Sequence, residues 1–111
     1  MKIINLAHPL TTLQLEQIQE YLDLAFSGEK IEKVLHIPFK FKVDEPFEPQ
    51  VEELLQQIPD EPCIINPPSL NLIAWLVASR LKRRDTKYWI IRLKRVDGDL
   101  IRFELAEIIE A

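Results

Sequence analysis

The chain has 111 residues, 47% of them apolar and 29% charged, with a formal net charge of −4 at pH 7. One domain with a single core fits that length, and the acidic balance argues against generic duplex nucleic-acid binding, which needs a broad basic face. One cysteine excludes an internal disulfide or a cysteine-rich zinc site, and two glycines exclude a glycine-rich phosphate loop.

Lys2-Ile3-Ile4-Asn5-Leu6 is a β-rich apolar run and predicts a central strand, broken by Ala7-His8-Pro9. Thr11 or Thr12 is suited to cap a helix whose face is Leu13, Leu15, Ile18, Tyr21, Leu22 and Leu24 to Phe26. Ser27-Gly28 ends it, glycine supplying the left-handed stop. A second strand is expected from Lys33 to Phe41, with Leu35, Ile37, Phe39 and Phe41 on one side and His36 and Lys40 on the other. After a proline-punctuated connection, Val51, Leu54, Leu55 and Ile58 predict a helix from about Gln50 to Ile58.

Cys63-Ile64-Ile65 is too short for a helix and is bounded by prolines, so it reads as a buried strand with Cys63 as a small apolar side chain. Asn66-Pro67-Pro68 stops it, because proline has no N–H to continue a ladder. Ser69 is then placed to cap a third helix carrying Leu70, Leu72, Ile73, Leu76, Val77, Ala78 and Leu81. Tyr88 to Val96, the turn Asp97-Gly98-Asp99, and Leu100 to Ile109 form a hairpin.

The order β-α-β-α-β-α-β-β predicts a mainly parallel five-stranded sheet of order 2-1-3-4-5, with an antiparallel edge strand and helices on both faces. In such a sheet a ligand binds at the carboxyl ends of the strands, where the strand order reverses. The two turns meeting there are Asn5 to Thr12 and Asn66 to Asn71. The candidate ligand-binding residues are therefore Asn5, His8 and Thr11 from one turn and Asn66, Ser69 and Asn71 from the other. Each also has a plain reading as a cap or a solvated loop residue. His8 is the single candidate for acid–base chemistry; His36 reads as solvated or facing a partner. No cofactor is expected, and no metal-ligand spacing or nucleophile–base pair is visible. The basic run Arg80, Lys82, Arg83, Arg84 and Lys87 lies at the far end of the third helix, where cations suit a helix C-terminus. Trp75 and Trp89 read as core or interface anchors, and the long apolar last strand invites a covering partner, such as a second copy. No apolar run reaches membrane-span length, and the start reads directly into structure without a signal peptide, so a cytoplasmic location is expected.

Several phrases together give a resemblance. Asn5-Leu6-Ala7-His8-Pro9-Leu10-Thr11, Pro46-Phe47-Glu48-Pro49-Gln50, Pro67-Pro68-Ser69-Leu70-Asn71, Ile91-Arg92-Leu93-Lys94 and Phe103-Glu104-Leu105-Ala106-Glu107-Ile108 are similar to a small CRISPR-associated family, the Csx-type family numbered fifteen. The resemblance spans nearly the whole chain through short motifs. It implies a Rossmann-like, CARF-like domain that works as a homodimer beside a type III CRISPR system and binds cyclic oligoadenylate, with cyclic tetra-adenylate the ring size expected. The implied role is to damp antiviral signalling by sequestering the ring. The alternative is a metal-independent ring nuclease in which the 2′-hydroxyl attacks its own phosphate and leaves a 2′,3′-cyclic phosphate. A structural subunit of a CRISPR complex is a third reading. Ala7, in place of a hydroxyl residue, and Ser79-Arg80-Leu81-Lys82, in place of a His-Gly pair, depart from the family pattern and weigh against cleavage more than against binding.

Overall fold

Three four-residue strands, β1 (Lys2–Asn5), β2 (Lys33–His36) and β3 (Cys63–Asn66), lie parallel and in register in the computed structural model, which describes residues 1–111. Asn5 is level with His36 on one side and Asn66 on the other. With β4 (Tyr88–Val96) and β5 (Arg102–Glu110), they form one sheet in the order β2-β1-β3-β4-β5, antiparallel only at the last pair. This is the strand order predicted from the sequence.

Successive residues of a strand point to opposite faces, and the core is divided accordingly. Ile4, Cys63 and Ile65 pack with Val51 and Leu54 of α2 (Phe47–Leu55) and Ile73 and Val77 of α3 (Asn71–Leu81). Ile3 and Ile64 pack on the other face with Ile18 and Leu22 of α1 (Thr12–Ala25). Asn5 and Asn66, two residues further along their strands, share the α1 face.

β3 pairs with β4 only as far as Ile90, whereas β4 and β5 remain paired out to Val96 and Arg102. The hairpin therefore projects beyond the carboxyl edge of the parallel strands. Its ladder shifts between Arg92↔Glu107 and Leu93↔Leu105, leaving Ala106 as the extra residue of a β-bulge, a device that bends and twists a strand. The bent strand meets α1. Gln14 Nε2 donates to the Phe103 carbonyl at 2.8 Å, the Leu105 N–H donates to Gln17 Oε1 at 2.8 Å, and the Tyr21 hydroxyl donates to the Ile108 carbonyl at 3.3 Å. Side chains of one helix thus occupy backbone groups along the edge strand, covering these positions within the chain.

Several boundaries differ from the sequence reading. The second strand ends at His36, not Phe41: β1 offers no partner beyond Asn5, and Pro38 has no N–H to donate. Ile37, Phe39 and Phe41 still pack on the α2–α3 core. α2 starts three residues early, at Phe47, because Pro49 falls in the first turn, where its missing N–H costs nothing. α3 has Leu70 at its N-cap and no side-chain cap, so Ser69 does not cap it. The last strand begins at Arg102, leaving Leu100 and Ile101 in the turn, 82% and 62% exposed. On α1 the inner face includes buried Gln14, while Leu24 is exposed.

The basic run is partly structural. Arg80 pairs with Glu48 and Glu52 of α2. Arg84 donates to the Leu55 and Ile58 carbonyls, both at 2.8 Å, and so caps α2 rather than its own helix. Trp89 packs edge-on against Phe26 in the core, with ring centroids 5.1 Å apart, while Trp75 is exposed. No helix is long and apolar enough to cross a membrane.

Candidate functional site

A cleft of about 770 Å³ opens at the carboxyl edge of the sheet on the α1 face. Its floor is the turn after β1 (Ala7, His8, Pro9) and the turn after β3 (Asn66, Pro67, Ser69). One side is the start of α1, with Thr11, Leu13 and Gln14; the other is the projecting hairpin, with Ile91 to Leu93 and Ile101 to Phe103. The volume lies in the range of about 300–1,000 Å³ that small-molecule sites occupy. Proline at positions 9 and 67 stiffens both floor turns.

Four of the six residues singled out from sequence line this cleft: His8, Thr11, Asn66 and Ser69. Asn71 does not; it is the first residue of α3 and is exposed. Asn5 lies beneath the cleft, 1% exposed, with both ends of its amide occupied. Its Oδ1 accepts from the Ala7 N–H at 3.2 Å and from Asn66 Nδ2 at 2.8 Å. Its Nδ2 donates to the His8 carbonyl at 2.9 Å and meets His36 Nδ1 at 3.1 Å. Asn5 therefore braces the two turns from below and is not itself a lining residue of the cleft. His36, read from sequence as solvated or facing a partner, is exposed and at the same time ends a polar row across three strands: His36, Asn5, Asn66.

Thr11 is the N-cap of α1. Its Oγ1 accepts from the Gln14 N–H at 3.1 Å, and Gln14 Oε1 accepts from the Thr11 N–H at 2.9 Å, a reciprocal capping box. The N–H groups of Thr12 and Leu13 have no acceptor within the protein, and the first turn of α1 holds no acidic residue. This end of α1 thus presents partial positive charge to the cleft.

Lining residues that escaped the sequence reading include Gln14 on α1 and Arg92, Arg102 and Phe103 on the hairpin. Arg92 and Arg102 come from the hairpin, each paired with a carboxylate, Glu107 at 3.3 Å and Glu104 at 3.4 Å, and Arg92, between Ile91 and Leu93 of the α1-face core, directs its side chain to the other face. Phe103 contributes a half-exposed aromatic ring. The alternation of β4 marks Arg92, and that of β5 marks Arg102 and Phe103, only as strand positions; what brings these positions past the turns is the hairpin's reach beyond β3, which no local pattern encodes. Cys63 is buried on the opposite face, and burial pushes its thiol up to about 11, away from nucleophilic use. No three His, Cys, Asp or Glu side chains converge as a metal-binding group.

The chain is an open, mostly parallel α/β sheet with a cleft at its switch point, the place where such sheets hold their ligands. Comparison with protein-family models, curated proteins and solved structures returns no match to this chain.

Proposed function

We propose that this protein is a CARF-like, cytoplasmic type III CRISPR accessory protein. In this reading it binds cyclic tetra-adenylate as a homodimer and damps antiviral signalling by sequestering it. The observation that carries the reading is the meeting of His8 and Thr11 with Asn66 and Ser69 in one cleft, from turns more than fifty residues apart, at the carboxyl ends of adjacent strands.

The cleft offers what such a ring needs. The open end of α1 suits a phosphate, and Arg102 at the rim can meet another in exchange for Glu104. Phe103 suits the face of a base. About 770 Å³ suits one drug-sized ligand, and a ring of four linked nucleotides exceeds that. Two clefts facing each other across a two-fold axis would each take half of a ring that is itself nearly two-fold symmetric. The apolar rim of Leu13, Ile101 and Phe103 is exposed in the single chain, as an interface around the paired turns requires.

Sequestration is preferred to cleavage because the His8 ring has no hydrogen-bonding partner to orient it as a base. The test incubates purified protein with labelled cyclic tetra-adenylate in EDTA and reads bound and cut fractions separately. Bound, intact ring supports the proposal. Rapid conversion to linear product ending in 2′,3′-cyclic phosphate makes the protein a nuclease, and no binding removes the reading.

A further inference from the structure

The amide of Asn5 can sit only one way round. The Ala7 N–H can only donate, so the Asn5 oxygen must face it, at 3.2 Å. The His8 carbonyl can only accept, so the Asn5 nitrogen must face it, at 2.9 Å. Reversing the amide would set donor against donor and acceptor against acceptor in a residue that is 1% exposed.

Two consequences pass along the row. On one side, the Asn5 nitrogen faces His36 Nδ1 at 3.1 Å, so that ring atom must be the acceptor and the imidazole proton sits on Nε2. On the other, the Asn5 oxygen faces the Asn66 amide at 2.8 Å, so the Asn66 group nearest it must be the donor, Nδ2. The Asn66 oxygen is then turned away from Asn5. It has no partner in the protein, and no fully buried side-chain polar atom is left unpaired, so this oxygen reaches the cleft that Asn66 lines. The residue is 5% exposed, and that acceptor is held by two backbone groups acting through Asn5.

We infer that Asn66 Oδ1 is a fixed hydrogen-bond acceptor in the cleft, oriented by the Asn5 relay, and that the site selects a ligand group that donates an N–H or O–H. Asn66 then reads a donor rather than gripping a phosphate, the task left to the α1 terminus and Arg102. This rests on the ring-binding function proposed above and deepens it. On such a ring the donors are the 6-amine of the purine and the 2′-hydroxyl of the ribose. A ligand lacking the donor leaves a buried acceptor unpaired, and the amine-to-carbonyl change sets two acceptors face to face.

The experiment measures affinity of the wild-type protein for three rings: cyclic tetra-adenylate, the same ring with inosine bases, and the same ring with 2′-fluoro sugars. One replacement is expected to weaken binding by about 10- to 100-fold, the factor an unpaired buried acceptor costs. Loss with inosine assigns Asn66 to the base amine; loss with fluorine assigns it to the sugar hydroxyl. Equal affinity for all three overturns the inference and leaves ring binding standing. Binding of none overturns both. A ligand-free arm uses ¹⁵N shifts of His36 at pH 8: a proton on Nε2 supports the relay, and a proton on Nδ1 overturns it. In Asn66→Leu, provided its amide spectrum remains that of a folded chain, the preference among rings should disappear; a preference that persists overturns the assignment to Asn66.

Discussion

Gln14 and Phe103, 89 residues apart, are joined by a 2.8 Å hydrogen bond from the side-chain amide of one to the backbone carbonyl of the other. The same glutamine completes the capping box of α1 through its oxygen, so one side chain ties the helix terminus to the hairpin across the cleft. Gln17, one turn on, does the equivalent for the Leu105 N–H.

Replacing Gln14 with leucine should cost about 1–3 kcal/mol, because it strands a carbonyl and removes half of the capping box. Gln17→Ala should have a narrower effect. The Leu105 amide should exchange with deuterium faster, while amides of β1 and β3 stay protected. Unchanged exchange at Leu105 would show that the helix does not hold the edge strand.

Arg84 and Arg83 are neighbours with different duties. Arg84 reaches two carbonyls at the end of α2 and the Tyr88 hydroxyl, whereas Arg83 is exposed and forms no ion pair. Arg84→Ala should destabilise by about 1.5–3 kcal/mol, the scale of charged hydrogen bonds, and Arg83→Ala by less than about 0.5 kcal/mol. Urea midpoints of the two variants check this, and equal midpoints would contradict it.

Cys63 supplies a pH-dependent signature. Burial raises its thiol to about 11, so the folded chain keeps a proton that the unfolded chain releases from the ordinary thiol value of 9.0 upward. Fewer protons bound in the unfolded state means that stability falls as pH rises through that window. Cys63→Ala should flatten this alkaline decline while lowering overall stability through lost packing. Urea melts of both proteins at several pH values from 8 to 11 test the sign. In native protein at pH 8, iodoacetamide should modify Cys63 only as fast as the chain opens.

Much of this architecture was legible beforehand. Ile3-Ile4 and Ile64-Ile65, each stopped by an asparagine and a proline-bearing turn, announce two buried strands whose ends coincide, and the order of elements then gives the strand order. Four cleft residues follow from that alone. What stayed hidden depends on register and reach. His36 joins the row because β2 ends level with β1, and strand pairing is not a local property. Gln14 and Gln17 are absent from the predicted helix face because nothing near them in sequence announces an edge strand 89 and 88 residues away. Arg92, Arg102 and Phe103 enter the site only because the hairpin outruns β3. Pro49 misled in the opposite sense, as a breaker that the first turn of a helix tolerates.

If the proposed function holds, the two ends of the sheet separate binding from scaffold. Arg102→Ala and Ser69→Ala remove groups lining the cleft and should each weaken cyclic tetra-adenylate binding, Arg102→Ala by about 1.5–3 kcal/mol if its charge meets a desolvated phosphate. Arg83→Ala, at the opposite end of α3, should leave affinity unchanged within about 1 kcal/mol. Calorimetry on the three variants decides it, and the reverse ranking would place the ligand at the other end of the sheet.

The stoichiometry of ring binding tests the central claim most directly. Light scattering on the free protein at micromolar concentration should give twice the 13.0 kDa chain mass, and calorimetric titration with cyclic tetra-adenylate should saturate at one ring for every two chains. A chain that stays monomeric with and without ligand, or that releases no heat with the ring, would contradict it.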